Sequence, residues 1–338
     1  MDVLVTGHRG YIGVHLVDVL QRAGHTVTGC DSGLFDGCEW EPFATPEREL
    51  HKDVRELELD DVGGHDCVMH LAAISNDPMG EVDVDLTLSV NRDASVRRAE
   101  LAKAAGVRRW LFAGSCSVYG QATDHDVVES DPLNPLTAYA RSKVETEEAV
   151  RTLADETFAP VFLRNATAYG HSPMLRIDLV VNNLLACAHA LGEIRIMSDG
   201  TPWRPLIHCR DIARAFLALA GADVPGGTAV NVGANEENYQ VRDVAALVQK
   251  LVPTADIEFT GEVGSDPRSY RVDFELLSQL VPDFRLQYTL RSGMEELHRK
   301  LSEHGFSRAD WDGDRFVRLR RLGARPERRP AEGRRGTA

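Results

Sequence analysis

The sequence has no long hydrophobic run and few cysteines. Its 338 residues contain no stretch of about 18 consecutive apolar side chains, the minimum for a membrane-spanning helix. An apolar strand pattern begins directly after Met1, without the basic segment that opens a secretory signal. The six cysteines, at positions 30, 38, 67, 116, 187 and 209, form no C-x-x-C pair and no metal-binding cluster with histidine. These absences predict a reduced, cytoplasmic protein without a metal site, neither secreted nor membrane-bound.

Positive charge is also scarce. The chain has 38 lysines and arginines against 52 acidic residues, which gives a net charge of −14. Nucleic-acid binding depends on clustered cations that replace counterions, so we expect no nucleic-acid partner and only local phosphate binding. The remaining composition, 43% hydrophobic and 27% charged, is typical of a globular protein. The length favours two domains, or one large domain with a substrate-binding extension.

One segment departs from the acidic background. Residues 315–335 contain nine arginines against Glu327 and Glu332. The last part of the chain, 323–338, includes Pro326 and Pro330 and predicts a solvated, disordered basic tail. Binding of a polyanion is the alternative interpretation of this tail.

Strand and helix patterns alternate through the first half of the chain. Short β-branched apolar runs predict strands at 2–6, 26–30, 66–70, 110–114 and 160–164. Amphipathic segments between them predict helices at about 11–23, 87–105 and 137–155. This alternation predicts an α/β fold with a doubly wound parallel sheet. We expect a cofactor domain over 1–165, with 205–235 returning to it, and a smaller, discontinuous substrate-binding lobe mainly over 166–310.

A glycine-rich turn follows the first strand. Residues 7–13 read G-x-x-G-x-x-G, a variant of the Rossmann fingerprint in which a helix N-terminus receives a pyrophosphate. An ordinary glycine-rich turn would look similar. Asp31, at the end of the second strand, favours the dinucleotide because its carboxylate can accept the ribose hydroxyls and repels a 2′-phosphate, which indicates NAD rather than NADP, although Arg9 could partly compensate. Asp53 could reach the adenine amino group, or it is a surface residue.

Tyr139 and Lys143 are four residues apart, which places them on one face of a predicted helix. A phenol is a weak base at neutral pH, and an adjacent ammonium that favours the phenolate would let it exchange protons with a substrate hydroxyl or a ketone. A surface contact is the alternative for the pair alone. Upstream, Ser115 closes a predicted strand and offers a hydroxyl to the same reacting oxygen.

These features together resemble the extended short-chain dehydrogenase/reductase family, in the NAD-dependent nucleotide-sugar epimerase and dehydratase branch that contains UDP-galactose 4-epimerase. The motifs that carry the resemblance are the glycine turn, Asp31, residues 70–73 (HLAA), residues 115–120 (SCSVYG) and Tyr139 with Lys143. The resemblance implies Tyr139, Lys143 and Ser115 as catalytic residues, with Ser117 as the second-choice hydroxyl. It further implies NAD contacts at Gly7, Arg9, Gly10, Tyr11, Ile12, Gly13, Asp31, Asp53, Val54, Leu71, Ala72, Ala73, Tyr139, Lys143 and Asn91, the last as support behind the site.

The resemblance continues to about residue 275 and implies a pocket for a nucleotide-diphosphate sugar. Arg204 and Arg268 match arginines that grip the substrate phosphates, which is chemically sensible because guanidinium groups bind diphosphates in a bidentate way. A surface salt bridge is the alternative for each arginine. The implied substrate-binding residues are Ser115, Cys116, Ser117, Asn165, Asn183, Arg204 and Arg268.

The chain departs from the family's 4,6-dehydratases between Ser115 and Ser117, where those enzymes have Thr-Asp-Glu. Removal of water requires an acid and a base that the two serines and Cys116 do not obviously supply. We therefore expect an NAD-dependent epimerase that works through a transient 4-keto sugar. A ketoreductase or dehydrogenase is the nearest alternative, then a dehydratase in which the Cys116 thiol acts as an acid, and then a silent NAD-binding scaffold. For Cys116 itself, a small buried residue at the end of a strand is the favoured interpretation. The resemblance also implies a homodimer, paired through the helices at 87–105 and 137–155.

Overall fold

A computed structural model describes residues 1–75, 77–259 and 268–323. Its strands include every strand that the sequence predicts, with ends that differ by one residue at most. The strands are β1 Asp2–Thr6, β2 Thr26–Asp31, β3 Arg48–His51, β4 Cys67–His70, β5 Arg109–Ser115, β6 Gln121–Val127, β7 Ala159–Asn165, β8 Thr167–Tyr169, β9 Glu193–Ile196, β10 Trp203–His208, β11 Thr228–Val232, β12 Asn238–Gln240, β13 Asp256–Phe259 and β14 Ser269–Val272.

Seven of these strands form one parallel sheet in the order β11-β7-β5-β4-β1-β2-β3. The chain winds outward from β1 first through β2 and β3, and then in the other direction from β4, so the winding reverses between β1 and β4. Both faces of the sheet are covered: Val3, Leu4 and Val5 of β1 are all fully buried. The Rossmann-type doubly wound fold is confirmed, and such sheets bind ligands where the winding reverses.

The helices also follow the sequence pattern closely. They are α1 Gly13–Arg22, α2 Leu59–Val62, α3 Asp77–Val82, α4 Val84–Leu88, α5 Ala94–Ala104, α6 Ala138–Arg151, α7 Val180–Leu191, α8 Cys209–Gly221, α9 Val241–Leu251, α10 Glu275–Leu280, α11 Leu290–His304, α12 Arg308–Asp312 and α13 Arg318–Gly323. In this part of the chain, no helix is long and apolar enough to cross a membrane.

Two of the predicted helices show how local sequence sets their geometry. Helix α6 starts where the Thr137 side chain accepts a hydrogen bond from the Ala140 amide at 3.1 Å, which caps the helix that carries Tyr139 and Lys143. The single helix predicted over 87–105 is divided into α4 and α5 by a π-helical turn, Ser89–Asp93. Turns of this kind occur often beside functional sites.

The later half of the chain adds three small sheets: β12-β10-β8, β13-β9 and β14-β6. Strand β11 pairs with β7 at the edge of the main sheet. The division into a cofactor domain and a substrate lobe remains a prediction. The predicted tail lies outside the described residues, except for Gly323, which ends α13.

Candidate active site

A large cavity lies at the carboxyl edge of the sheet, where the winding reverses. Its volume is about 1260 Å³, more than the roughly 300–1,000 Å³ typical of a site for one small ligand, so it has room for a dinucleotide and a second molecule. The predicted site residues that line it are Gly7, Gly10, Tyr11, Ile12, Gly13, Asp31, Asp53, Val54, Leu71, Ala72, Ala73, Ser115, Ser117, Tyr139, Lys143, Asn165, Asn183, Arg204 and Arg268.

The glycine turn has the geometry that a pyrophosphate needs. Gly7 has a φ of +74°, which side chains with a Cβ rarely adopt, and a Cβ on Gly13 would come within 2.1 Å of the Gly7 carbonyl oxygen. The missing side chains therefore let the turn close tightly and let α1 begin directly beneath the cavity. A helix N-terminus in this position attracts an anion through its N–H groups and its dipole.

Asp31 lines the part of the cavity where the adenosine ribose would bind, whereas Arg9 of the glycine turn does not line the cavity. Asp31 accepts hydrogen bonds from the backbone N–H groups of Arg9 at 3.2 Å and of Gly33 at 2.9 Å, which fixes its orientation. The Arg9 guanidinium does not line the cavity; its Nε lies 3.0 Å from Asp36 and its Nη1 3.5 Å from Glu49. These two carboxylates engage the cation that could have accommodated a 2′-phosphate, so the structure fits NAD better than NADP.

Two further predicted cofactor contacts have partners of their own. Asp53 caps a short turn after β3 and pairs with Arg55 at 2.8 Å, which lowers the pKa of the Asp53 carboxyl. Asn91 lies behind the cavity wall in the π-helical turn, where its side chain exchanges hydrogen bonds with the backbone of Ile74 at 2.7 and 3.0 Å and donates one to Ser142. Asn91 thus supports the wall without lining it.

Tyr139 and Lys143 both face the cavity from α6. The Lys143 ammonium donates to the Ala113 carbonyl oxygen at 2.8 Å and lies 5.6 Å from the centre of the Tyr139 ring. Ser115, at the end of β5, lies beside Tyr139 on the cavity wall, where its hydroxyl acts to lower the pKa of the phenol. The three residues that the sequence analysis names as catalytic therefore meet at one point, because β5 ends where the first turn of α6 begins.

The pKa values of Tyr139 and Lys143 differ from the sequence-based expectation that the ammonium favours the phenolate. Burial, followed by the charge of Asp77, raises the pKa of Tyr139 to about 12 in the cofactor-free site, while the hydrogen bond with Ser115 acts in the opposite direction. Burial also lowers the pKa of Lys143 to about 7. Desolvation thus disfavours both charged forms, and the amine alone does not produce a phenolate here.

Cys116 occupies a different environment from the serines on either side of it. Its thiol is 1% exposed, donates to the Arg164 carbonyl oxygen at 3.1 Å and does not line the cavity. Burial raises the pKa of this thiol well above its usual range. The Ser117 hydroxyl does line the cavity and has no hydrogen-bond partner within the described chain. Ser117 therefore lines the cavity and Cys116 lies behind its wall, which agrees with the interpretation of Cys116 as a small buried strand-end residue and not with its place among the substrate-binding residues.

The predicted substrate residues come from four later elements and meet on the remaining wall. Asn165 donates to the Gly114 carbonyl oxygen at 3.2 Å, and its side-chain oxygen has no partner among the described residues. Asn183, on α7, donates to the carbonyl oxygen of Ile177, just before that helix, at 2.9 Å. Arg204 is 7% exposed and donates to the carbonyl oxygen of Arg268 at 2.5 Å, so the two predicted phosphate-binding arginines are neighbours.

The cavity wall also contains charged residues that sequence reasoning missed. Arg176 forms a two-pronged ion pair with Asp178, with both distances 2.9 Å, and donates to Ser75. Asp77, at the start of α3, accepts a hydrogen bond from Thr137 at 2.5 Å and forms an ion pair with Arg268. An arginine and an aspartate two positions apart, as at 176 and 178, are a sequence signal for an ion pair. Asp77 belongs to no such local pattern, so the sequence gives no signal for it.

Arg318, in α13, is the most distant missed residue in sequence. It is one of the arginines that precede the predicted tail. Within the described ranges, no group of three or more histidine, cysteine or acidic side chains could hold a metal ion.

Comparison with known proteins gives consistent results. The chain is 30% identical over 285 residues to UDP-glucose 4-epimerase of Mycolicibacterium smegmatis, an alignment that covers 81% of this chain and 90% of that protein. It is 26% identical over 317 residues to UDP-glucuronic acid decarboxylase 1 of Danio rerio, covering 89% of this chain and 73% of the relative. Among solved structures, TunA, an NAD-dependent NDP-hexosamine 5,6-dehydratase involved in tunicamycin biosynthesis, superimposes with a TM-score of 0.80 at 27% identity, covering 89% of this chain and 98% of TunA.

A family model also matches more than half of the chain. The model that describes the NAD dependent epimerase/dehydratase family matches residues 3–233, from β1 to the turn after β11. The match includes the glycine turn, Asp31 and the Tyr139–Lys143 pair. The chain is therefore an enzyme with NAD as its cofactor, and it belongs to the NAD dependent epimerase/dehydratase family.

Proposed function

We propose that this enzyme is a nucleotide-sugar 4-epimerase that inverts one hydroxyl-bearing carbon through a transient 4-keto sugar. The observation that carries the proposal is that both sets of residues line a single cavity. Tyr139, Lys143 and Ser115 line the same cavity as the glycine turn. Arg204 and Arg268 line its substrate wall. NAD supplies the chemistry of hydride uptake from C4 and hydride return to the opposite face of the sugar.

Tyr139 is the proton-transfer group in this proposal. Its phenolate oxygen accepts the proton of the C4 hydroxyl during oxidation, and the resulting phenol returns that proton to the oxygen when the ketone is reduced, while Ser115 holds the reacting oxygen in line. The raised pKa keeps the phenol protonated in the cofactor-free site. The phenol of Tyr139 would form a phenolate more readily beside the positive charge that bound oxidised NAD would supply, so its ability to take up a proton would depend on the cofactor. Lys143 orients the cofactor and adds charge when it is protonated.

The substrate wall suits a sugar that carries a diphosphate. Arg204 and Arg268 provide guanidinium groups for the phosphates, which explains how an acidic protein can bind an anion locally. The Ser117 hydroxyl and the Asn165 side-chain oxygen are buried polar atoms without partners in the described chain, and sugar hydroxyls would satisfy them. Epimerases, decarboxylases and dehydratases with nucleotide-sugar names are similar to the chain, which supports the same substrate class.

The surroundings of Cys116 weigh against dehydration. A dehydratase needs an acid for the leaving hydroxyl beside the sugar, and the Cys116 thiol is bound to a backbone carbonyl outside the cavity. Asp77 is a carboxylate on the wall, but Thr137 and Arg268 already contact its two oxygens. Epimerisation needs no acid for a leaving hydroxyl in addition to Tyr139, and this favours it over the dehydration that TunA is named for.

The test is a product analysis with a panel of UDP-, GDP-, dTDP- and CDP-sugars in deuterium oxide. Thermal stabilisation first selects the nucleotide that binds, and NMR and mass spectrometry then identify the product. We expect a product of unchanged mass, inverted at C4, without deuterium on the ring and without net change in reduced-nicotinamide absorbance. Tyr139→Phe should lose about 100-fold or more of the rate, whereas Tyr239→Phe, a matched change outside the cavity, should not.

Each alternative has its own result in the same experiment. Stoichiometric consumption of reduced nicotinamide would identify the enzyme as a ketoreductase, and its stoichiometric formation would identify a dehydrogenase; either result would exclude the epimerase. Loss of water or of carbon dioxide in the mass spectrum would establish a dehydratase or a decarboxylase. Full activity of Tyr139→Phe would remove the catalytic role of the tyrosine.

A further inference from the structure

The end of the described chain forms part of the cofactor cavity. Helix α13 and the segment before it are both bound to the loop after β2. Arg315, before the helix, donates to the Glu39 carbonyl oxygen, and Arg321, within the helix, donates to that of Asp36 at 3.3 Å. The same helix contacts α3 on the other side. Arg318 and Leu322 consequently line the cavity that the glycine turn also lines.

The Arg318 side chain is buried and incompletely paired. It is 3% exposed, and its guanidinium lies 4.6 Å from the centre of the Phe35 ring. One terminal nitrogen, Nη2, donates to the Met174 carbonyl oxygen at 3.1 Å, whereas Nη1 has no hydrogen-bond partner among the described residues. A buried donor without a partner is costly, and in a binding cavity it points to a ligand acceptor.

The charge of this guanidinium also calls for an anion. Burial and the neighbouring positive charge of Arg176 lower the pKa of Arg318 to about 10, so the group is still charged at neutral pH. Asp178 is a nearby carboxylate, but both of its oxygens are contacted by Arg176 at 2.9 Å. A second anion in the cavity would compensate the remaining buried charge.

The neighbours of Arg318 indicate which anion this is. Met174 and Phe35 pack with Val14, in the first turn of α1, and with Cys38. These contacts belong to the glycine-turn side of the cavity, whereas Arg204 lies on β10 and Arg268 directly precedes β14 on the substrate wall. A diphosphate is present both in NAD and in the proposed substrate, and the position of Arg318 favours the one in NAD.

We propose that Arg318 binds the pyrophosphate of NAD together with the N-terminus of α1, so that α13 holds the cofactor in its cavity. The site is completed by a residue outside the part of the chain that the family model covers, which ends at residue 233. The arginine-rich end of the chain, up to Gly323, therefore has a binding role separate from that of the predicted tail.

The experiment measures cofactor binding directly, so it does not depend on the identity of the substrate. Wild-type protein, Arg318→Met, Arg318→Lys and Arg320→Met are stripped of cofactor and titrated calorimetrically with NAD, ADP-ribose, adenosine and UDP. Arg320 is the matched control because it lies on the same helix but is exposed and donates only to backbone carbonyls outside the cavity. The NAD content of each protein as purified is measured by chromatography.

We expect Arg318→Met to weaken binding of NAD and of ADP-ribose by about 10-fold or more, since both contain the pyrophosphate and a charged hydrogen bond is lost. Binding of adenosine, which has no phosphate, and of UDP should change less than about 2-fold. Arg318→Lys keeps the charge without the planar fork and should lie between wild type and Arg318→Met. Arg320→Met should bind NAD as wild type does and retain as much of it through purification.

Folding is checked with the same proteins. The cofactor-free Arg318→Met protein should melt at no lower temperature than wild type, because a buried charge is removed, while NAD should raise its melting temperature less. Unchanged NAD affinity in a folded Arg318→Met would overturn the proposal. So would weakened UDP binding with normal NAD binding, since the guanidinium would then serve the substrate. If Arg318→Met did not fold, Arg318→Lys with normal NAD affinity would equally refute it.

Discussion

Replacement of Lys143 by methionine should separate stability from function in this enzyme. Burial lowers the pKa of the Lys143 ammonium to about 7, against about 10.4 in an unfolded chain. A difference of about 3.4 pH units at about 1.4 kcal/mol per unit means that burying this amine costs the cofactor-free fold up to about 4–5 kcal/mol at neutral pH. The methionine side chain removes this cost.

Two lost contacts offset part of the gain. The Ala113 carbonyl oxygen would lose its donor, at a cost of about 1–3 kcal/mol, and the contact of the ammonium with the Phe112 ring, 4.6 Å away, contributes about 0.5–2 kcal/mol. We therefore expect Lys143→Met to raise the free energy of unfolding by about 1 kcal/mol at about pH 7, while it lowers the catalytic rate by about 100-fold or more.

The pH dependence gives the decisive measurement. Because the folded state holds the Lys143 proton less tightly than the unfolded state, wild-type stability should rise as the pH increases from about 7 toward 10. Between about pH 7 and pH 9 the gain should be about 2 kcal/mol, and it should be absent from Lys143→Met. Urea unfolding of the cofactor-free proteins measures this difference. Lys250→Met, a change of an exposed lysine on α9, is the control and should follow wild type.

The opposite result has a clear meaning. If the cofactor-free enzyme already contained a Tyr139 phenolate paired with a Lys143 ammonium, the pKa of the amine would be raised. Wild type would then lose stability relative to Lys143→Met as the pH rises. That outcome would refute the conclusion that burial dominates the electrostatics of the site.

Three further predictions concern packing, the substrate and assembly. Glu147→Gln should destabilise the fold by about 3–5 kcal/mol in urea unfolding, since it breaks a buried 2.6 Å ion pair with Arg164, whereas the exposed Glu148→Gln should have little effect. Ser117→Ala should lower kcat/KM for the nucleotide sugar by about 10-fold without loss of stability, because the hydroxyl has no described partner; normal kinetics would remove it from the site. Light scattering should show the homodimer that the sequence resemblance implies, and a monomer at micromolar concentration would contradict it.

The strand and helix pattern of the cofactor-binding half follows from local sequence. Apolar β-branched runs such as Val3 to Val5 have only one stable location, a sheet covered on both faces, and helices between such strands require parallel winding. Sequence spacing also fixes Tyr139 and Lys143 on one face of α6. The glycine turn needs residues without a Cβ, and this requirement is visible in the sequence itself.

Which side chains enter the cavity is decided by the tertiary structure. Ser117 and Cys116 are adjacent in sequence, yet a tight turn after β5 directs one hydroxyl into the cavity and the neighbouring thiol toward the Arg164 carbonyl. Periodicity does not reveal the path of such a turn. The balance of pKa effects at Tyr139 likewise depends on burial and on Asp77, which approaches from a separate helix.

The sequence by itself determined the parallel sheet, the dinucleotide turn and the tyrosine–lysine pair, because each depends on residue type and spacing over a few neighbouring positions. The tertiary structure alone decided the role of Arg318, which lies 305 positions after Gly13 and shares a cavity with it. Local composition assigns an arginine-rich segment to solvent, since a charged side chain is usually hydrated. Long-range packing of α13 against the loop after β2 removes one of these arginines from water, and no pattern within the segment encodes that contact.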